Sequence, residues 1–250
     1  MKVYGCWYEA CDSGTWLTWF INQHEDFPKF NLKLEYQEKG KEFGNIPSDY
    51  SCDPATWHVD KFENRTVGLS FADHLTHVAN EGYTNEDYSK FCYKILPWHN
   101  PRQTNQHEFP TNETPEQVCT RLLKDSNTDC VIIPQVEISY KLFAFRQAFI
   151  RPRYTVAECM KSFELKIKEE YKTIADKVRQ LSPVHTVAID KLIIDNDEKV
   201  YKELIDILEV PALPNWKEYA NNYYDMILRP WENIDFSMLD NRTHKYTDNN

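Results

Sequence analysis

The sequence predicts an α/β fold, a three-layer sandwich with a central parallel sheet flanked by helices. Three observations predict it. Short apolar runs alternate with stretches of helical periodicity, the pattern of strand–crossover–strand units. The run Asp129 to Ile133 (DCVII) is continuously apolar, which suits a strand covered on both faces. Only 6 of the 250 residues are Gly, too few for a turn-dense all-β protein or a glycine-rich dinucleotide fingerprint.

The elements follow in order. Residues 2–7 alternate as a short strand, and Trp16, Trp19, Phe20 and Gln23 fall at helical spacing, so strand–turn–helix opens the chain. Residues 31–63, broken by Pro47 and Pro54, read as an irregular insertion with short helices. Residues 66–71 (TVGLSF) read as a strand, 85–91 as a short helix and 92–96 (CYKIL) as a strand. Pro97, Pro101, Pro110 and Pro115 mark a second insertion over 97–115, a surface loop of the kind that covers sites. Thr114 caps a helix beginning Pro115-Glu116. Beyond the strand at 129–133, residues 136–149 and 155–181 read as helices, the second with Met160, Phe163, Ile167, Tyr171 and Ile174 on one stripe. A strand at 185–189 precedes helices at 199–208 and 215–228. With no repeat and no low-complexity linker, the chain reads as a single domain over 1–250.

Composition narrows the function. Acidic residues number 39 against 29 basic ones, a net charge of -10, which argues against a nucleic-acid partner. No stretch reaches the roughly 18 apolar residues of a membrane span, and Met1 to Trp7 lacks the apolar core of a signal peptide. The seven cysteines form no C-x-x-C pair and read as reduced, buried thiols, so a cytoplasmic protein is expected. Sequons at Asn64, Asn112 and Asn241 read as chance on that view.

The opening segment WYEACDSGT has the geometry of an anion-binding turn. Backbone N–H groups converge at a helix N-terminus, where the dipole adds about half a positive charge. Ser13 and Thr15 add hydroxyl donors, and Gly14 allows close backbone approach. No Gly-Lys-Ser/Thr follows at nucleotide-triphosphatase spacing, which disfavours a kinase-like reading. A turn capped by Ser13 or Asp12 explains the segment equally well.

Val3 to Trp7, then Asp12-Ser13-Gly14-Thr15-Trp16-Leu17, resembles the opening of the P-loop-like sulfotransferase family. Three further stretches fall in family order: Tyr93 to His99, Val118 to Pro134 with Ser139 beyond it, and Val187 to Pro211. The resemblance implies 3'-phosphoadenosine-5'-phosphosulfate as co-substrate, held by Asp12, Ser13, Gly14, Thr15, Trp16, Ser139 and Arg146. It implies transfer of a sulfuryl group to a hydroxyl on a small-molecule or glycan acceptor. Asp12 stands where the family carries a basic residue. Ile132, Ile133 and Pro134 occupy the stretch of its 3'-phosphate arginine, for which Arg146, Arg151 or Arg153 is the substitute. Those departures keep open a catalytically decayed binding protein for a nucleotide or glycan.

Such transfer needs an N–H-rich or cationic cradle and one base. Lys94, at a strand end, is the expected cation. His99, on the same segment, is the first candidate base and His74 the second, with His77, Glu9 and Asp12 behind them. A zinc site from His74, His77 and His99 lacks a second ligand motif, so no metal is expected. The run Asp195 to Lys199 lacks the glycine and closing Glu of a calcium loop and reads as a turn and helix start. Phe43, Tyr50, Trp57, Phe62 and Trp98 read as loop packing or as stacking surfaces for a sugar or adenine.

Overall fold

Residues Lys2–Trp7 form β1, and the β-branched and aromatic side chains of this run alternate between two buried faces. The computed structural model describes residues 2–8, 12–27, 89–95, 117, 120, 123, 124, 127–150, 154–229 and 232. Helix α1 (Gly14–Ile21) follows, then β2 (Lys90–Ile95), β3 (Cys130–Gln135) and α2 (Tyr140–Ile150). Helix α3 (Val156–Leu165) runs through a π-helical turn (Lys166–Glu170) into α4 (Tyr171–Val178). Strand β4 (Val184–Ala188), a short α5 (Ile189–Ile193), α6 (Glu198–Leu208) and α7 (Trp216–Tyr223) with a π-helical end at Tyr224–Leu228 complete the order. Gln117, Thr120, Leu123 and Lys124 are helical, at the place of the helix predicted after Pro115.

The sheet is four-stranded, all parallel, in the order β2-β1-β3-β4. All four strands overlap predicted ones. Strand β1 is internal, and helices cover both faces. On one, Tyr4, Cys6 and Tyr8 pack with α1, α2, α3 and α6, together with Trp216 and Tyr223 of α7. On the other, Val3, Trp7, Phe91 and Val131 pack against Tyr171, Ala175 and Val178 of α4. The α/β sandwich read from the sequence is thus the architecture found.

The register decides where a ligand can sit. Strand β1 pairs β2 along its full length but pairs β3 only from Tyr4↔Cys130 to Cys6↔Ile132. Strand β3 runs on to Gln135, so Pro134, which has no N–H for a ladder, falls where the β1 ladder has already stopped. The carboxyl ends of β1 and β3 therefore diverge. In open parallel sheets, ligands bind at such a point, where chain connections leave to opposite sides.

Local chemistry sets the helix ends. Thr155 and Glu158 form a reciprocal capping box at α3. The Asp197 carboxylate accepts from the amides of Lys199 and Val200 and caps α6, within the acidic run read as a helix start. Some assignments needed correction. Ile189, predicted as the last residue of a strand, opens α5 instead. Residues 90 and 91, predicted as helix, begin β2, because the Asp26 carbonyl takes the Ser89 and Lys90 amides and β1 pairs from Lys90 on. The helix predicted from 136 begins at Tyr140, for a reason given below. The strand predicted at 66–71 and both insertions lie outside the described residues.

Cys6, Cys92, Cys130 and Cys159 are buried, and burial together with the Asp129 carboxylate pushes the Cys130 thiol up to about 11. Among the described residues no helix is long and apolar enough to cross a membrane.

Candidate functional site

The carboxyl end of β1 leads into the turn before α1. Ser13 takes the left-handed conformation (φ 55°, ψ 21°) and is followed directly by the first helical residue, Gly14. A left-handed residue followed by a right-handed one turns successive amides toward one point, the geometry of an anion nest. Leu17 N–H bonds the Ser13 carbonyl, so the helix starts at its full pitch. The Gly14 carbonyl accepts from Thr18 Oγ1 at 2.9 Å and from Cys6 Sγ at 3.7 Å, tying the turn to β1.

Gly14 has a reason different from the one its sequence context suggests. A methyl group on it would run into Cβ, Cγ and Cδ1 of Tyr8. Those atoms sit at the fixed base of a buried side chain, so the close approach that Gly14 permits is made by the Tyr8 ring. Gly14→Ala is expected to cost about 1–3 kcal/mol as overpacking, read as a lowered urea midpoint at unchanged m-value. An unchanged midpoint would show that Tyr8 moves freely.

Two buried side-chain systems meet the turn. In the first, Lys166 Nζ lies 3.1 Å from Asp12 Oδ1, with side-chain exposures of 5% and 0%. The ammonium also sits 4.6 Å from the centre of the Phe163 ring. Tyr171, from α4, accepts the Val136 amide at 3.4 Å and lies close enough to the Asp12 carboxylate for its phenol to be shifted by it. In the second system, Arg146 Nη1 donates to the Tyr223 hydroxyl at 3.1 Å, and that hydroxyl donates to Ser13 Oγ at 3.0 Å. Arg146 and Ser13 are both buried.

The Ser13 side chain makes no capping bond to its own helix and spends an acceptor site on Tyr223. The Trp16 indole Nε1, on a ring that is 1% exposed, has no hydrogen-bond partner among the described residues. Residues three apart on a helix share a face, so both buried donors belong to the same first turn. Buried donors left unmatched cost about 1–3 kcal/mol each.

Burial first, and the Asp12 carboxylate second, push the Tyr171 phenol well above its ordinary value. Its folded-state value lies above the unfolded one, about 10. Its contribution to stability is complete below pH 10 and is lost as pH rises toward the folded value. The urea midpoint of the wild type is therefore expected to fall between pH 9 and 11, and Tyr171→Phe to flatten that fall. An equal slope in the two proteins would remove Tyr171 from the alkaline transition.

A second loop crosses the carboxyl end of β3. The Asp190 carboxylate accepts the amides of Glu137 (3.2 Å), Ile138 (2.6 Å) and Ser139 (2.8 Å). This bond set, made to a residue some 50 positions away, holds 136–139 out of the helix. Ser139 thus lies beyond the carboxyl end of β3, with its amide committed to Asp190 just after β4.

Of the residues singled out in the sequence, Asp12, Ser13, Gly14 and Trp16 form one cluster, and Arg146 joins it through Tyr223. Thr15 belongs to α1 and Lys94 to β2, where Lys94 pairs Cys6 one residue from the end of β1; their side chains lie outside the described residues. His74, His77, His99, Glu9, Arg151 and Arg153 also lie outside them. Among the described residues no group of three or more His, Cys, Asp or Glu is placed to hold a metal. Sequence reasoning missed Lys166, Tyr171, Asp190 and Tyr223. One signal was present: Lys166 stands three residues after Phe163, a lysine on the core-facing stripe.

No protein-family model matches this chain, and no curated protein matches it.

Proposed function

We propose that the β1–α1 turn binds an oxyanion. On that basis the protein is a sulfotransferase-like enzyme, moving a sulfuryl group from 3'-phosphoadenosine-5'-phosphosulfate to a hydroxyl of a small-molecule or glycan acceptor. One observation carries the reading: the buried Trp16 indole N–H has no partner among the described residues and stands, with the Ser13 hydroxyl beside it, in the first turn of a helix at the diverging carboxyl ends of β1 and β3. Sulfonate and phosphate oxygens are acceptors only, and they match such a set.

The residues present suit the phosphosulfate end of the donor. The donor supplies the sulfuryl group: its sulfur–oxygen bond to the phosphate breaks, a sulfur–oxygen bond to the acceptor forms, and 3'-phosphoadenosine-5'-phosphate leaves. The Ser13 hydroxyl and the turn amides hold the anion and keep its charge out of water. We assign Lys94 to the charge developing on the transferring oxygens, since β2 is the direct neighbour of β1 and adjacent strands lie about 4.8 Å apart. His99, with His74 as second choice, takes the acceptor proton.

The test has two parts. Saturating 3'-phosphoadenosine-5'-phosphate should raise the melting temperature, since a ligand at about 100 times its dissociation constant adds roughly 2.7 kcal/mol. Transfer of labelled sulfate to a panel of hydroxyl acceptors should fall about a hundredfold or more in Lys94→Ala and His99→Ala. Activity surviving both substitutions removes those residues from the mechanism.

A second reading has its own observation. The Asp12 carboxylate takes up the charge of Lys166, a buried cation beside the turn. A decayed site that binds a nucleotide or glycan without chemistry has this arrangement. Ligand-induced stabilisation with no transfer to any acceptor would select it.

A further inference from the structure

We propose that Tyr223 is a positioning residue for the β1–α1 turn: it fixes the Ser13 hydroxyl as a proton donor to a ligand oxyanion, and Arg146 acts through it. The inference rests on the reading of that turn as an oxyanion site.

The direction of the hydrogen bonds carries it. A guanidinium only donates, so the Tyr223 oxygen accepts from Arg146 Nη1 at 3.1 Å. The Tyr223 proton goes to Ser13 Oγ at 3.0 Å. Ser13 Oγ, receiving that bond, keeps its own proton for another acceptor. Helix α1 does not take it, because Ser13 makes no side-chain capping bond and the nearby Gly14 carbonyl is bonded by Thr18 and Cys6 instead. Bulk water has little access, because Ser13 is 5% exposed. No bond from Ser13 Oγ to an acceptor is formed among the described residues, and that proton is assigned to a ligand oxygen at the turn.

The chain is polarised from its charged end. Each link in a hydrogen-bonded series strengthens the next, so the guanidinium makes Tyr223 a better donor and Ser13 in turn. The ring fixes the geometry as well, since Tyr223 packs 5.3 Å from Trp16, the other unmatched donor in the same turn. The last residue of α7 thereby completes a site that opens 210 positions earlier in the chain.

The experiment is a double-mutant cycle in ligand affinity. Calorimetric titrations with 3'-phosphoadenosine-5'-phosphate, and separately with inorganic phosphate, are run on the wild type, Ser13→Ala, Tyr223→Phe and the double variant. Tyr223→Phe keeps the ring on Trp16 and is expected to weaken binding about tenfold. Ser13→Ala should do the same, and the double variant should be no weaker than Ser13→Ala alone. A purely structural role for Tyr223 gives losses that multiply, and that result overturns the proposal, as does unchanged affinity in Tyr223→Phe. If Tyr223→Phe fails to fold, Arg146→Met replaces it, expected to weaken binding in the wild type but not in Ser13→Ala. Wild type that binds the nucleotide while Tyr223→Phe matches it overturns this inference alone. Wild type that binds phosphate but not the nucleotide overturns the sulfuryl-donor reading alone, and the phosphate cycle then decides the role of Tyr223. Wild type that binds neither overturns both.

Discussion

Lys166→Met is expected to lower stability by about 3–5 kcal/mol, the cost of leaving a buried charge uncompensated. For a chain of this size that is a drop of roughly 6–20 °C in melting temperature. The physical cause is the full burial of the Asp12 carboxylate, which Lys166 Nζ meets at 3.1 Å. The double variant Asp12→Asn with Lys166→Met should recover much of the loss, because no charge then remains to be desolvated. Thermal unfolding of the two single variants and the double closes the cycle. Additive losses would mean that the pair is not a unit and that each residue owes its place to other contacts.

Asp190→Ala is expected to cost on the order of 3–5 kcal/mol. Three amides, at Glu137, Ile138 and Ser139, lose one shared acceptor. Hydrogen bonds to a charged group contribute about 1.5–3 kcal/mol each, and bonds sharing one carboxylate sum to less than their separate values. The loss should be local as well as global: amide exchange at 137–139 should accelerate more than exchange in β1. Equal acceleration throughout the chain would show only a general loss of stability. Ser139 is half-buried at the loop that Asp190 holds, so this variant also asks whether that loop must be fixed for ligand binding.

The sheet was legible in the sequence because its strands are short runs of apolar and β-branched residues, and burial on both faces demands such runs. What was not legible depends on partners far along the chain. Val136 continues the helical periodicity of 140–149, but the Tyr171 hydroxyl takes the Val136 amide and the Asp190 carboxylate, arriving from the end of β4, takes those of 137–139, which holds the segment out of the helix. Residues 90 and 91 join a strand because β1 and the Asp26 carbonyl claim them. In α3–α4 the expected stripe holds at Phe163 and Tyr171, but the π-helical turn shifts the helix phase between them. Lys166, three residues after Phe163, is buried beside Asp12, while Ile167 is half-buried. The helical period places that lysine on the core face, but no period shows the carboxylate that meets it there.

The candidate site was half legible. Asp12, Ser13, Gly14 and Trp16 are contiguous, so one strand–turn–helix reading gathers them. Arg146 was named for a phosphate near Ser139, yet its described bond runs to Tyr223 and so to Ser13. Tyr223 itself looks like one more aromatic on an amphipathic helix, and only tertiary packing gives its hydroxyl a partner. Lys166 and Asp12 differ by 154 positions, and no spacing rule pairs them.

The most direct measurement is a crystal structure of the wild-type protein grown with 3'-phosphoadenosine-5'-phosphate. The account predicts the 5'-phosphate at the β1–α1 turn, with an oxygen within about 3 Å of Ser13 Oγ and further oxygens on the amides that follow it. The Arg146–Tyr223–Ser13 series should be intact behind it. A phosphate bound elsewhere, or a turn in which Ser13 and Trp16 donate to the protein itself with the nucleotide at saturation, would contradict it.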